Sequence, residues 1–195
     1  PISHTRGLDL ALNNELKVML VNGPEIAMRD GGLGFVLADE TSNLAYLGCF
    51  EETHFAVSLS NENEPHAIKQ GYEFQSLRTV GPSLSDLEAG LATTAIALNN
   101  WHQTHTNCPR CGAETFATNS GWIKQCPVDG TEHYPRTDPA VIVAITNPED
   151  KLLMARQTVW QPTHFSHVAG FVEPGETLEA AVAREAIDRK STRLN

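Results

Sequence analysis

The feature that most constrains this chain is a pair of matched short segments, Cys108-Pro109-Arg110-Cys111-Gly112 and Cys126-Pro127-Val128-Asp129-Gly130. A Cys-x-x-Cys turn aims two thiolates at one point. The Gly that follows lets the backbone close tightly around whatever they hold. The second segment repeats the first with Asp in the last position. Two such turns complete a tetrahedron, and zinc accepts oxygen as well as sulfur. Cys108, Cys111, Cys126 and Asp129 are therefore read as a closed, structural Zn²⁺ site, with His133 as the competing fourth ligand. The chain has only four cysteines, three of them clustered, which makes a poor disulfide framework. Cys49 stands apart and is expected to be a small core residue.

Short strand-like pieces around Gly121-Trp122-Ile123-Lys124-Gln125 separate the two turns. Turns on adjacent hairpins at this separation describe a zinc ribbon, placed at residues 106–136. Residues 1–105 read as an α/β scaffold. Leu16–Val21 is an expected strand. Gly34–Ala38 and Leu44–Gly48 look like paired strands around Glu40-Thr41-Ser42-Asn43, and His54–Leu59 is a further candidate. Ser85–His105 is the expected helix of this segment. Ser85 and Glu88 have capping-box spacing, and Leu87, Leu91, Ala95 and Leu98 recur on one face.

The third segment, residues 137–195, opens with the apolar strand Ala140–Ile145. The turn Asn147-Pro148-Glu149-Asp150 and a second strand, Lys151–Ala155, make it read as a hairpin. Gly170-Phe171-Val172-Glu173-Pro174-Gly175-Glu176 then leads into a helix from Thr177 to about Ile187. Leu178, Ala181 and Val182 form its expected buried face, with Glu185 on a different one. The fold class is α+β.

Gly170, Glu176 and the pair Arg184-Glu185 stand at spacings that resemble the first two-thirds of the Nudix box, G-x5-E-x7-R-E. Carboxylates three and four residues apart share a helix face and present hard oxygen ligands to a divalent cation. With a zinc ribbon before it, and His133-Tyr134-Pro135-Arg136-Thr137-Asp138-Pro139 between the two, the order resembles the NADH pyrophosphatases. The likeness is close from Trp101 to Ile187 and loose before that. It implies an N-terminal scaffold, a zinc ribbon and then a Nudix α/β/α sandwich that is incomplete here. The reaction it implies splits the pyrophosphate of NAD(H) into nicotinamide mononucleotide and AMP, using Mg²⁺ or Mn²⁺; some members also remove NAD caps from RNA. By the same resemblance Ala169 offers a backbone carbonyl to the metal, Glu185 a metal-binding carboxylate, and Glu176 and Arg184 brace the box. Tyr134 matches a substrate-binding aromatic; stacking on a base suits it, and so does a core position with a hydrogen-bonded hydroxyl. A homodimer is implied for the full protein.

The chain departs from that family after Ile187. Two acidic residues are expected where Asp188 and Arg189 stand, and Ser191 replaces a Gly. Arg189 lies one helical turn from Glu185, where it places positive charge beside a metal ligand. Residues 188–195 also resemble the translation of a sequencing-library adapter, GATCGGAAGAGCACACGTCTGAAC, and read as a non-native tail on a truncated chain; a short pseudoenzyme is the alternative. This chain is expected to be inactive.

A net charge of −10 argues against binding nucleic acid through a general basic surface. No apolar run approaches the roughly 18 residues needed to span a membrane. No secretory signal is evident at Pro1-Ile2-Ser3-His4, so a cytoplasmic location and no membrane partner are expected. Two other function classes stay open: a Nudix hydrolase acting on another dinucleotide, and a non-catalytic zinc-ribbon module that binds a partner.

Overall fold

The computed structural model describes residues 16–37, 43–59 and 70–191. Ala38, Glu40-Thr41-Ser42 and residues 192–195 of the tail lie outside them. Two compact units divide between Arg136 and Thr137.

In the first unit the expected strand over 16–21 is split. β1 (Leu16–Met19) and β2 (Val21–Asn22) join different sheets, with Leu20 between them. Period-2 alternation explains how one run serves both. Leu16, Val18 and Leu20 enter one core cluster, with Val36, Tyr46 and Tyr72. Met19 and Val21 enter the other, with Ile26, Val57, Ala95 and Leu98.

The first sheet has the order β5 (Phe35–Leu37), β1, β7 (Thr53–Ser58), β6 (Leu44–Phe50), with β1 and β7 parallel. The segments expected to pair around Glu40 therefore lie on opposite edges. β5 pairs with β1, and β6 with β7 through a tight turn at Glu51-Glu52. The second sheet is built on β3 (Glu25–Arg29), which takes β2, β4 (Gly32–Leu33) and β8 (Glu73–Ser76). A short helix, α1 (Leu77–Val80), precedes the long helix α2 (Asp86–Thr104).

The α2 capping box is complete. The Ser85 hydroxyl accepts from the Glu88 amide, and the Ser85 amide donates to the Glu88 carboxylate. Leu91, Ala95 and Leu98 are buried as expected, together with Ala92 and Trp101. Leu87 is more than a third exposed (37%): it sits in the first turn of α2, one turn before Leu91, the first buried residue of the helix.

The ribbon is a three-stranded antiparallel sheet, β9 (Phe116–Thr118), β10 (Ile123–Gln125) and β11 (Glu132–His133), with β10 central. Between β9 and β10 the chain makes a left-handed turn, with φ of 50° at Asn119, 52° at Ser120 and 88° at Gly121. Left-handed backbone costs a non-glycine residue about 1–2 kcal/mol, so neighbours must hold this turn in place.

In the second unit, β12 (Ala140–Val143) pairs antiparallel with β13 (Val168–Phe171), not with Lys151–Ala155 as expected. The Asn147 turn does form: its carboxamide oxygen accepts from the Glu149 and Lys151 amides. The predicted hairpin is short: the bridge Thr146–Leu152 is flanked by hydrogen bonds from the Asn147 amide to the Lys151 carbonyl and from the Leu153 amide to the Ile145 carbonyl. The chain loops on through a bridge between Ala155 and Ser166, and β13 takes the place beside β12. Helix α3 (Leu178–Ser191) packs on both strands. Its backbone continues past the expected end at Ile187. Thr177 Oγ1 accepts from the Ala180 amide at its start.

Candidate functional site

In the ribbon, both turns fold as their sequences require. The Gly112 amide donates to the Cys108 carbonyl and the Gly130 amide to the Cys126 carbonyl, at 2.8 and 3.1 Å. Both glycines adopt left-handed backbone, φ 78° and 70°. Ligand atoms of Cys108, Cys111, Cys126 and Asp129 all lie within 4.8 Å of one another. A tetrahedron of about 2.3 Å zinc–sulfur bonds needs sulfurs roughly 3.8 Å apart, so this donor set fits structural zinc. His133 falls outside the group.

The site's electrostatics suit a cation. The Thr131 amide, bonded to Oδ1 at 3.0 Å, is the main cause holding the Asp129 carboxyl down at about 2. Burial pushes the Cys108 thiol up, but the Arg110 and Cys111 amides and His133 outweigh it and bring the thiol to about 7. Cys49, in contrast, is exposed on edge strand β6 instead of in the core. It lies at the far end of β6, next to the Glu51-Glu52 turn and past the buried Ala45 and Tyr46.

The ribbon is fastened to the scaffold. Trp122 Nε1 donates to the Tyr46 carbonyl at 2.6 Å, and His102 Nε2 meets the Gly121 carbonyl at 2.7 Å. A side chain at Gly121 would run into Ala45. Lys124, only 6% exposed, donates to the carbonyls of His102 and His105 at 3.0 and 2.9 Å. These carbonyls belong to the end of α2, where the helix leaves acceptors unpaired. A cavity of about 470 Å³ opens where α2 ends against the ribbon, lined by Trp101, His105, Asn107, Pro109, Tyr134 and Arg136 among others. Tyr134 is no core residue. It is 59% exposed, and its hydroxyl donates to Glu132 at 2.6 Å. The motif His133-Tyr134-Pro135 leaves an exposed stacking position and a core position equally open.

In the second unit, Arg184 organises the acidic residues. Its Nε and Nη2 donate to the two carboxylate oxygens of Glu176, its Nη1 to Glu185, and its Nη2 also to the Phe171 carbonyl. The Glu173 amide donates to Glu176 as well. Arg184 and, next, the Glu173 amide hold the Glu176 carboxyl below its ordinary range; Glu176 and Glu185 raise Arg184 further. Glu185 is not on the outer face. It follows the buried Ala181 by four residues and lies directly over Gly170, where any Cβ would collide with its carboxyl group. Leu178, expected inside, is 56% exposed. Ala169, the neighbour of Gly170 on β13, pairs with Ile142. Sequence spacing supplied Glu176, Arg184 and Glu185. It missed that Gly170 is the seat of Glu185, because a glycine required for lack of a side chain looks like any turn glycine.

Residues 136–187 match the family model described as the NUDIX domain. The chain belongs to the Nudix hydrolases. Within them it belongs with the NADH pyrophosphatases: residues 103–134 match the NADH pyrophosphatase zinc ribbon domain and residues 12–101 the NADH pyrophosphatase-like rudimentary NUDIX domain. The chain is 41% identical to the NAD-capped RNA hydrolase NudC of Mycobacterium tuberculosis over 178 residues, 90% of this chain and 56% of that protein. It is 43% identical to Nudix hydrolase 19, chloroplastic, of Arabidopsis thaliana over 101 residues, 50% of this chain and 23% of that one. It is 35% identical to the NAD-capped RNA hydrolase NUDT12 of Homo sapiens over 120 residues, 57% and 26% of the two chains. The chain thus spans little more than half the length of the NudC relatives. Among the described residues, no helix is long and apolar enough to cross a membrane.

Proposed function

We propose that the protein hydrolyses the pyrophosphate of NAD(H), releasing nicotinamide mononucleotide and AMP, with Mg²⁺ or Mn²⁺ held on the second unit. The observation that carries this is the seating of Glu185 over Gly170, beside Ala169 and braced through Arg184 to Glu176. Glu185 would hold the ion through its carboxylate and Ala169 through its carbonyl. Hard oxygens are what Mg²⁺ and Mn²⁺ take. The ion would supply neutralisation of the diphosphate and activation of water. Arg184 and Glu176 orient the carboxylate; Tyr134, exposed beside the cavity, would stack on a base. In the ribbon, Cys108, Cys111, Cys126 and Asp129 would hold a structural zinc.

Asp188 and Arg189 give α3 fewer carboxylates next to Glu185 than such a site uses. The 195-residue chain by itself is proposed to be at or near background. The protein expressed from the intact gene is proposed to be a homodimer, to be read by light scattering. The test supplies NADH to that protein and follows AMP with Mg²⁺, with Mn²⁺ and with a chelator. Metal-dependent release is expected; release indifferent to chelation overturns the mechanism. Robust turnover by the 195-residue chain overturns the second proposal.

Removal of an NAD cap from RNA is the second reading. Two of the relatives above are named NAD-capped RNA hydrolases. Parallel rates on NADH, ADP-ribose and NAD-capped RNA decide between them.

A further inference from the structure

We infer that Lys124 is a positioning residue, whose buried ammonium group sets the separation between the two walls of the cavity that carries Tyr134. The inference rests on the proposed role of Tyr134 in binding substrate. One wall is the end of α2, with Trp101 and His105; the other is ribbon, with Pro109, His133 and Tyr134.

Lys124 belongs to the ribbon wall by its backbone and to the helix wall by its side chain. On central strand β10 it pairs with His133, the residue next to Tyr134. Its Nζ reaches across to the carbonyls of His102 and His105 and stands 6.0 Å from the centre of the Trp101 ring. A charge this deeply buried is costly unless its donors are satisfied. Here its hydrogen-bond partners are backbone carbonyls at the end of a helix, where the helix dipole favours a cation. Two acceptors on one donor atom fix the helix end against β10 in two directions. The left-handed turn at Asn119–Gly121 and the Trp122 bond to Tyr46 fix the ribbon elsewhere, against β6. His102 Nε2 also joins α2 to the ribbon, but at the Gly121 carbonyl, where the ribbon packs on Ala45 of β6. Lys124 makes its join from β10, beside the wall that carries His133 and Tyr134. The four zinc ligands do not include it, so its loss should leave zinc in place.

The test compares wild type, Lys124→Met and Lys124→Gln in the zinc-loaded protein expressed from the intact gene. Met and Gln are both one bond shorter than Lys and neutral; Met removes the donors, whereas Gln keeps an NH2 group without the charge. Three quantities are read: zinc per chain, hydrogen exchange by peptide, and KM against kcat for NADH. The expected result is zinc unchanged and exchange at least tenfold faster in residues 101–105 and 131–134. Residues 86–97 of α2 should be unaffected. KM should rise several-fold with kcat within twofold, and Lys124→Arg, which keeps donors for the carbonyls, should recover part of the KM. Unchanged exchange in both walls overturns the inference, as does faster exchange throughout the unit. Failure of both neutral variants to fold with zinc bound would make Lys124 a folding requirement and also overturn it. If wild type does not hydrolyse NADH, the proposed substrate fails, while the exchange arm still decides whether Lys124 holds the walls together.

Discussion

Arg184 grips Glu176 by both carboxylate oxygens, Nε on Oε1 and Nη2 on Oε2, each at 2.9 Å, while its remaining nitrogen holds Glu185. One planar group thus aligns two carboxylates and, through the Phe171 carbonyl, anchors α3 to β13. A lysine cannot reproduce that fork. Arg184→Lys should therefore weaken Mn²⁺ binding by roughly 10- to 100-fold, the usual cost of losing support behind a metal ligand. Titration followed by electron paramagnetic resonance measures it.

Gly170 should tolerate no side chain. Gly170→Ala puts a methyl group where the Glu185 carboxyl lies, so that carboxyl must leave its seat. Overpacking costs typically 1–3 kcal/mol, and the displaced ligand should lower Mn²⁺ affinity as well. Gly175→Ala is the control. It meets open space but has φ +85°, so it should cost about 1 kcal/mol and leave Mn²⁺ affinity nearly unchanged. Chemical denaturation and Mn²⁺ titration on both variants separate the two effects.

The zinc ligands give a third expectation. Asp129→Ala should lower zinc affinity at least tenfold, and His133→Ala should leave the stoichiometry at one zinc per chain. Competition with a chromophoric chelator reads both. The reverse pattern would make His133 the fourth ligand.

His102 predicts a dependence on acidity. Burial is the main cause holding it below its ordinary value of 6.5, with the Lys124 charge adding to this and the Gly121 carbonyl opposing it. The unfolded chain therefore takes up the proton first. Stability is fully present above about pH 6.5 and declines as pH falls toward the lower folded value, by at most about 1.4 kcal/mol per pH unit. Denaturation curves at pH 7.5, 6.5 and 5.5 should slope more steeply for wild type than for His102→Gln.

Local rules were legible in the sequence wherever one residue type had one job. Ser85 and Glu88 announced the start of α2, and Gly112 and Gly130 the two ribbon turns. The Nudix spacing singled out Glu176 and Arg184, which two hydrogen bonds join. What failed was pairing between distant segments. Gly34–Ala38 and Leu44–Gly48 are adjacent in the chain and alike in pattern, yet β1 and β7 come between them, because parallel insertion leaves no local trace. The place beside β12 that Lys151–Ala155 was expected to take belongs to β13, an antiparallel partner about 25 residues further along the chain than β12, again with no local trace. Glu185, expected on a different face from Ala181, lies over Gly170 instead, as its i+4 relation to Ala181 implies. Lys124 was invisible, since nothing in its neighbours marks a lysine that turns inward.

Asp129 as a ligand has a consequence for how the ribbon is loaded. A thiol must give up its proton before it can bind, so metal uptake at four cysteines would acidify the medium and grow steeply with pH. Asp129, at about 2, is ionised long before neutrality and has no proton to give up when it binds. Zinc entering this ribbon should release fewer protons than it would at an all-sulfur site. Its capture should therefore stay effective in mildly acid solution, where an all-sulfur ribbon would already be losing its metal.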